Sequence, residues 1–435
     1  MTSSVGARTP PPALTRAIGR WGYTAAIINS VIGSSVFAMP AVLARLVGEW
    51  SPVAVILAGG AVAVVVLCFA EVGSRFDGTG GPYLYTREAF GAGPAFLVGW
   101  LHIWSRLFSG AAVLNVFTSY LGQLLPVVAT PAGRGITMTA AVALVTALNV
   151  RGVRQTSWAV NAFTVAKLLP LLLLVAAGAS GVSRGVFESQ AVAAPAWTDA
   201  ILLLVFAYGG FESGVVAAGE VRDPRRDTAF ALVVGIATIA GVYALVQVVV
   251  CGTVPHVGAI DTPVARALDV LVPHGAVVGS VGAILSTYGW LTGFALMTPR
   301  VLFSMAERRE LPGALARVHA RFRTPHIAII VNSIVALGFA LWSTFTDAAT
   351  LAAIARLLIY ALTCASLVAL RRRDAAPAAS FVVPGGPVLA LGGMLFCGWL
   401  LATRTASQLE MLAAILVTGA ALRAVAHWTR GAATA

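Results

Sequence analysis

Apolar segments long enough to cross a lipid bilayer recur along this chain and constrain its fold more than any other feature. They lie at 24–44, 53–73, 94–125, 136–150, 157–180, 198–219, 228–252, 273–304, 326–345, 349–370, 386–403 and 408–427. About 20 helical residues cross the hydrocarbon, and helices satisfy their own backbone hydrogen bonds there. Because 58% of the residues are hydrophobic and 11% charged, we predict an all-α integral membrane protein with about twelve transmembrane helices.

The positions of the arginines predict the orientation in the membrane. With twelve crossings, most loop arginines fall on the side of the N-terminus, as cytoplasmic loops require. The opposite loops contain only Arg45, Arg134, Arg184, Arg266 and Arg404. We therefore expect residues 1–20 to form a cytoplasmic tail, 21–435 to form one transmembrane domain, and both termini to be cytoplasmic. The expected location is a cell membrane, specifically a bacterial inner membrane, and the net charge of +12 gives no reason to expect nucleic acid.

Two of the apolar segments contain residues that interrupt a helix. The first reads IGSSVF at 32–37 and is followed by Pro40, and the second reads FAYGGFE at 206–212. They hold the same place in consecutive sets of five helices, which is typical of inverted-repeat transporters with discontinuous helices. Glycines in membrane helices also serve close packing alone, and that alternative stays open.

An interrupted membrane helix exposes backbone groups that can bind a ligand. Its free amides suit a carboxylate, and its free carbonyls suit an ammonium group or a cation. A small zwitterion satisfies both requirements. The apolar side chains of Phe206 and Phe211, near the second interruption, favour a neutral or hydrophobic amino acid.

Four short motifs resemble those of the amino acid-polyamine-organocation (APC) superfamily of permeases. They are GSSVF at 33–37 with Pro40, FAYGGFE at 206–212, GEVRDPR at 219–225 and AERRELP at 306–312. The resemblance runs from about residue 18 to about residue 425. It implies a LeuT-like five-plus-five inverted repeat, with a first repeat at about 21–180, a second at about 198–373 and extra helices at about 386–427.

The same resemblance implies where an amino acid substrate would bind. Amides near the first interruption would take its carboxylate, carbonyls near the second would take its amino group, and Phe206 would act as an aromatic gate. The predicted substrate residues are Ile32, Gly33, Ser34, Ser35, Phe206, Ala207, Tyr208 and Gly209. Ser35 stands where the family more often has glycine, so the size of the pocket stays undetermined.

Lys167 is the only lysine among the 29 basic residues, and it lies inside an apolar segment. It stands roughly 20 Å into the span, too deep for its side chain to reach water, so it needs partners within the protein. An ammonium, unlike a guanidinium, can release its proton. Some proton-coupled members of the APC superfamily resemble this chain in having a lysine in a Lys-Leu-Leu context. We expect the Lys167 ammonium to bind carbonyls at the first interruption and the hydroxyl of Ser286. The alternative is that Lys167 has a purely structural role.

The charged residues within the apolar segments also include Arg106, Glu212 and Arg356. Arg106 and Arg356 could pair with Glu212 or line a water-filled path, or each could lie near a membrane interface. We name Phe206, Glu212 and Arg106 as a possible gate or charge network.

Other classes of membrane protein fit the sequence less well. The six histidines do not group as a membrane-embedded active site requires, and the chain lacks the repeated pore loop of a channel. No cofactor or metal is expected, because the four cysteines lack metal-ligand spacing. We therefore predict a secondary active amino acid transporter, not an enzyme, that works by alternating access and is proton-coupled through Lys167. An exchanger without proton coupling and a transporter-like nutrient sensor are the alternatives, and the sequence does not determine the oligomeric state.

Overall fold

The computed structural model describes residues 16–152, 157–179, 181–182 and 191–434. Their α-helices, numbered in chain order, are α1 (Arg20–Val31), α2 (Ser35–Val47), α3 (Ser51–Gly73), α4 (Pro82–Phe90), α5 (Ala92–Leu124), α6 (Pro126–Ala129), α7 (Pro131–Val150), α8 (Ser157–Gly178), α9 (Ala194–Tyr208), α10 (Phe211–Gly214), α11 (Pro224–Thr253), α12 (Pro263–Leu271), α13 (Gly275–Glu307), α14 (His326–Trp342), α15 (Phe345–Arg371), α16 (Gly386–Ala402) and α17 (Ala406–Thr434).

The lengths and compositions of these helices are those of a multi-pass membrane protein. Eight stretches of the described chain are long and apolar enough to cross a membrane, and Val165–Gly178, His326–Trp342 and Gly386–Ala402 are shorter apolar helices. The prediction of an all-α integral membrane protein is confirmed at this level. The predicted start of the fourth span at 136 is wrong, because the side chain of Thr130 accepts a hydrogen bond from the amide of Gly133 and caps α7 five residues earlier.

Both predicted interruptions are present. The first predicted span consists of α1 and α2, which are separated by residues 32–34. The second consists of α9, two glycines, α10 and a 3₁₀ helix at Val215–Glu220. Gly210 has a positive φ of 123°, and a side chain at this position would collide with the carbonyl oxygen of Ser30. Only glycine fits this conformation and this close approach.

The core forms where long helices cross through small residues. Helix α5 packs against α13, α14 and α15, and α15 also packs against α3, α4, α9 and α16. Ala348, Ala349, Ala352 and Ala353 of α15 are completely buried, so the neighbouring backbones approach closely. Helix α9 joins this frame through α15, whereas α1 packs against α10 and α11.

Candidate functional site

Two polar side chains connect the interruptions directly. The Ser30 hydroxyl, at the end of α1, donates to the carbonyl oxygen of Gly210 at 3.1 Å. The Tyr243 hydroxyl of α11 lies 3.3 Å from the carbonyl oxygen of Val31 and 3.1 Å from that of Ala207. Ser30 and Tyr243 therefore connect the backbone of the first interruption to that of the second.

A small cavity lies between the two interruptions. Five predicted substrate residues line it: Gly33, Ser34, Ser35, Phe206 and Gly209. The structure therefore brings together in space two segments that are more than 170 residues apart in the sequence.

The amides just before α2 are available to a ligand in this cavity. Those of Gly33 and Ser34 donate to no backbone carbonyl within the described ranges. Near the second interruption, the carbonyl oxygen of Phe206 accepts from the amide of Gly209 at 3.1 Å and from Arg356 at 3.2 Å. Two of the carbonyls predicted to take an amino group thus already have protein donors, because that of Ala207 is bound by Tyr243.

Three predicted substrate residues do not line the cavity. The Tyr208 side chain is buried against α3, where its hydroxyl donates to the carbonyl oxygen of Val55 at 2.8 Å. Tyr208 is the last residue of α9, and the helix directs its side chain away from the cavity. The carbonyl oxygen of Ile32 accepts a hydrogen bond from Lys167. The carbonyl oxygen of Ala207 accepts one from the Tyr243 hydroxyl.

Lys167 reaches the first interruption as predicted. Its side-chain nitrogen donates to the carbonyl oxygen of Asn29 at 2.8 Å and to that of Ile32 at 2.6 Å. The predicted contact with Ser286 is wrong: the Ser286 hydroxyl is buried and has no hydrogen-bond partner in the part of the chain that the structure describes. The ammonium binds the carbonyls on α1 instead, because these lack helical donors.

Glu212 is neutralised by Arg356. Arg356 donates through Nε to Glu212 Oε1 at 2.9 Å, and both side chains are buried. The other carboxylate oxygen accepts from the amide of Gly210 at 2.8 Å and from the Tyr360 hydroxyl at 3.2 Å. The Arg356 guanidinium also lies 5.4 Å from the ring centre of Phe206, so this ion pair forms one wall of the cavity.

Arg106 does not join this ion pair. Its Nε donates to the Thr298 hydroxyl at 3.3 Å and its Nη1 to the Ser213 hydroxyl at 3.2 Å. Its guanidinium also lies 5.1 Å from the ring centre of Trp290, a cation–π distance. Pairing of Arg106 with Glu212 is therefore wrong, whereas pairing of Arg356 with Glu212 is confirmed.

Comparison with known proteins identifies the family. A family model described as amino acid permease matches residues 18–421. The chain belongs to the amino acid permease family.

Curated relatives of this permease are membrane transporters. It is 28% identical to the serine/threonine exchanger SteT of Bacillus subtilis, over 88% of this chain and 90% of that protein. It is 28% identical to the methylthioribose transporter of the same species, over 91% and 90% of the two chains. It is 24% identical to the branched-chain amino acid permease BcaP of B. subtilis, also over 91% and 90%. The permease is therefore a membrane transporter rather than an enzyme.

Sequence reasoning missed several residues of the permease cavity. Trp290 and Ser109 line it, and Tyr243 connects its two interruptions. Tyr243 had a usable signal, because it is a polar side chain in the middle of the apolar segment 228–252. Trp290 and Ser109 had none, since aromatic and small residues are common throughout membrane helices.

Proposed function

We propose that the chain is a secondary active transporter that carries amino acids by alternating access. The cavity between the two helix interruptions is the observation that carries this proposal, because it offers the free amides of Gly33 and Ser34 to a carboxylate. Helix interruptions beside a cavity are where transporters of this kind bind substrate. Membership of the amino acid permease family supports an amino acid as the substrate.

The order and length of the helices support a five-plus-five inverted repeat. In each proposed half, an interrupted span is followed by one continuous span and then by a nine-residue helix that begins with proline, α4 or α12. Each of these short helices is followed by a helix of 33 residues, α5 or α13. We propose repeats at about 21–180 and 198–373, with extra helices at about 386–427 and a tail at 1–20.

We propose that Lys167 couples transport to protons. Its ammonium lies between α8 and the first interruption, a boundary that must change if α1 moves during transport. Loss of the proton weakens both hydrogen bonds, because charge-assisted bonds are roughly twice as strong as neutral ones. Protonation would then favour the conformation described here.

The proposed location is a bacterial inner membrane with both termini in the cytoplasm. The arginine-rich loops support this orientation. The amide of Ile18 donates to the carbonyl oxygen of Glu220 at 3.0 Å, and the carbonyl oxygen of Ile18 accepts from the amide of Arg222 at 2.9 Å. Arg20 binds Asp227 at 2.8 Å. These contacts join the beginning of the first span to the segment that connects α10 to α11 and to the start of α11, where we place the cytoplasmic gate.

An exchanger without proton coupling is the second candidate. One relative, SteT, is named a serine/threonine exchanger, and its match covers most of both chains. Exchange needs the same cavity but no net proton movement.

Transport in reconstituted liposomes tests both candidates. We expect labelled amino acid to accumulate in the liposomes when the external solution is more acidic than the lumen. A protonophore that collapses the proton gradient should abolish this accumulation. Counterflow that requires internal amino acid and ignores the gradient would support the exchanger instead. Absence of both accumulation and counterflow for all twenty amino acids would refute amino acid transport.

A further inference from the structure

The cavity contains one cationic group that forms no ion pair with any residue that the structure describes. Arg106 lines the cavity, yet its hydrogen-bond partners Thr298 and Ser213 are neutral hydroxyls. No carboxylate of a described residue lies within ion-pair distance of it, since Glu212 binds Arg356. An uncompensated charge at membrane depth is expensive and marks a functional site by default.

Arg106 retains the capacity to bind an anion. A guanidinium carries five N–H donors in a planar fork that fits a carboxylate with two parallel bonds. Two of these donors are used by the two hydroxyls. The Trp290 ring, at 5.1 Å from the guanidinium carbon, supports one face of the group and leaves its edge for a ligand.

The other charged side chains that line or adjoin the cavity are already bound within the protein. Arg356 and Glu212 form a buried pair at 2.9 Å, and Glu212 has both oxygens occupied. Lys167 binds carbonyls on the α8 side of the first interruption and does not line the cavity. A zwitterion adds no net charge, so Arg106 would stay unbalanced with a neutral amino acid bound.

The apolar residues that suggested a neutral substrate do not form an apolar subsite. Phe211 packs between Phe69 and Tyr360, at ring distances of 5.1 and 5.3 Å, and is absent from the cavity wall. Phe206 lines the cavity but lies beneath the Arg356 guanidinium. The wall near both arginines therefore has a net positive charge, because Glu212 pairs only with Arg356.

We propose that the substrate is an amino acid with a carboxylate in its side chain, which Arg106 binds. This inference rests on the proposed function. The α-carboxylate lies at the amides of Gly33 and Ser34, while the second carboxylate accepts from the Arg106 fork and balances its charge. The site thereby selects acidic amino acids over their amides, which have the same shape.

Matched pairs of ligands test the selectivity in the unmodified protein. Binding of glutamate against glutamine, and of aspartate against asparagine, is measured on the purified protein by competition with a labelled amino acid that binds. We expect the acidic member of at least one pair to bind about tenfold tighter or more, which corresponds to one charge-assisted hydrogen bond. Equal binding of acid and amide, or tighter binding of the amide, overturns the inference and leaves amino acid transport standing.

The arginine is then tested by substitution. Arg106→Gln should bring the ratio of acid to amide affinity to about one, whereas Arg106→Lys should retain part of the preference. Arg300→Gln is the matched control, because Arg300 is an exposed arginine of α13 outside the cavity, and it should keep the wild-type ratio. A wild-type ratio in Arg106→Gln overturns the assignment of Arg106. If no amino acid binds the wild-type protein, the proposed function falls together with the inference.

Discussion

Replacing Lys167 with methionine should destabilise the first helix interruption. In a continuous helix, the carbonyl of Asn29 would accept from the amide of Gly33, and that of Ile32 from the amide of Val36. Neither bond forms here, and the Lys167 ammonium donates to both oxygens instead, at 2.8 and 2.6 Å. Methionine has a similar length but no donor, so both carbonyls would lose this partner.

The size of the effect follows from these two bonds. A buried polar group left without its partner costs about 1–3 kcal/mol, so two carbonyls cost about 2–6 kcal/mol in this conformation. Even the lower value shifts a conformational equilibrium about 30-fold. Conformations in which the two carbonyls regain donors or reach water are favoured by this amount.

Hydrogen exchange and uptake measure the two consequences. In Lys167→Met, peptides that cover residues 24–44 should exchange at least about tenfold faster than in the wild type, and uptake should lose its dependence on pH. Lys167→Arg is the control that keeps a charged donor but cannot release its proton. It should preserve more of the exchange protection and still lose the pH dependence of uptake. Wild-type exchange together with wild-type pH dependence in Lys167→Met would contradict both roles of Lys167.

Two further predictions concern the second interruption. In Gly209→Ala, the new Cβ would lie 2.6 Å from Nη1 and 2.8 Å from Nε of Arg356, so the guanidinium must move and weaken its bond to Glu212. We expect the free energy of unfolding to fall by about 1.5–3 kcal/mol, measured by thermal unfolding. Gly60→Ala is the control, because no atom lies within 4 Å of a Cβ added at this helical glycine, and this variant should melt like the wild type. Tyr243→Phe removes the hydroxyl that contacts both interruptions and should weaken substrate binding up to about tenfold; unchanged affinity in a scintillation proximity assay would contradict this role.

Local sequence patterns were sufficient to predict the membrane class, the interruptions and the burial of Lys167. Apolar segments of about 20 residues predict membrane helices because the hydrocarbon demands that length. The interruptions at 32–34 and 209–210 were predictable because they depend on local glycine and serine content. The contact of Lys167 with carbonyls of the first interruption followed from the cost of burying an ammonium without a partner.

Which charged residues pair with one another depends on how the helices pack. Arg106 and Arg356 looked equivalent in sequence, since each is a single arginine in an apolar helix. In the folded chain, Arg356 of α15 forms the ion pair with Glu212. Arg106 of α5 instead donates hydrogen bonds to two hydroxyl groups. Likewise, Ser286 lies on the predicted helix but makes no bond to Lys167. Such pairings depend on helix rotation and on separations of a few ångströms between distant segments, which periodicity and composition do not specify.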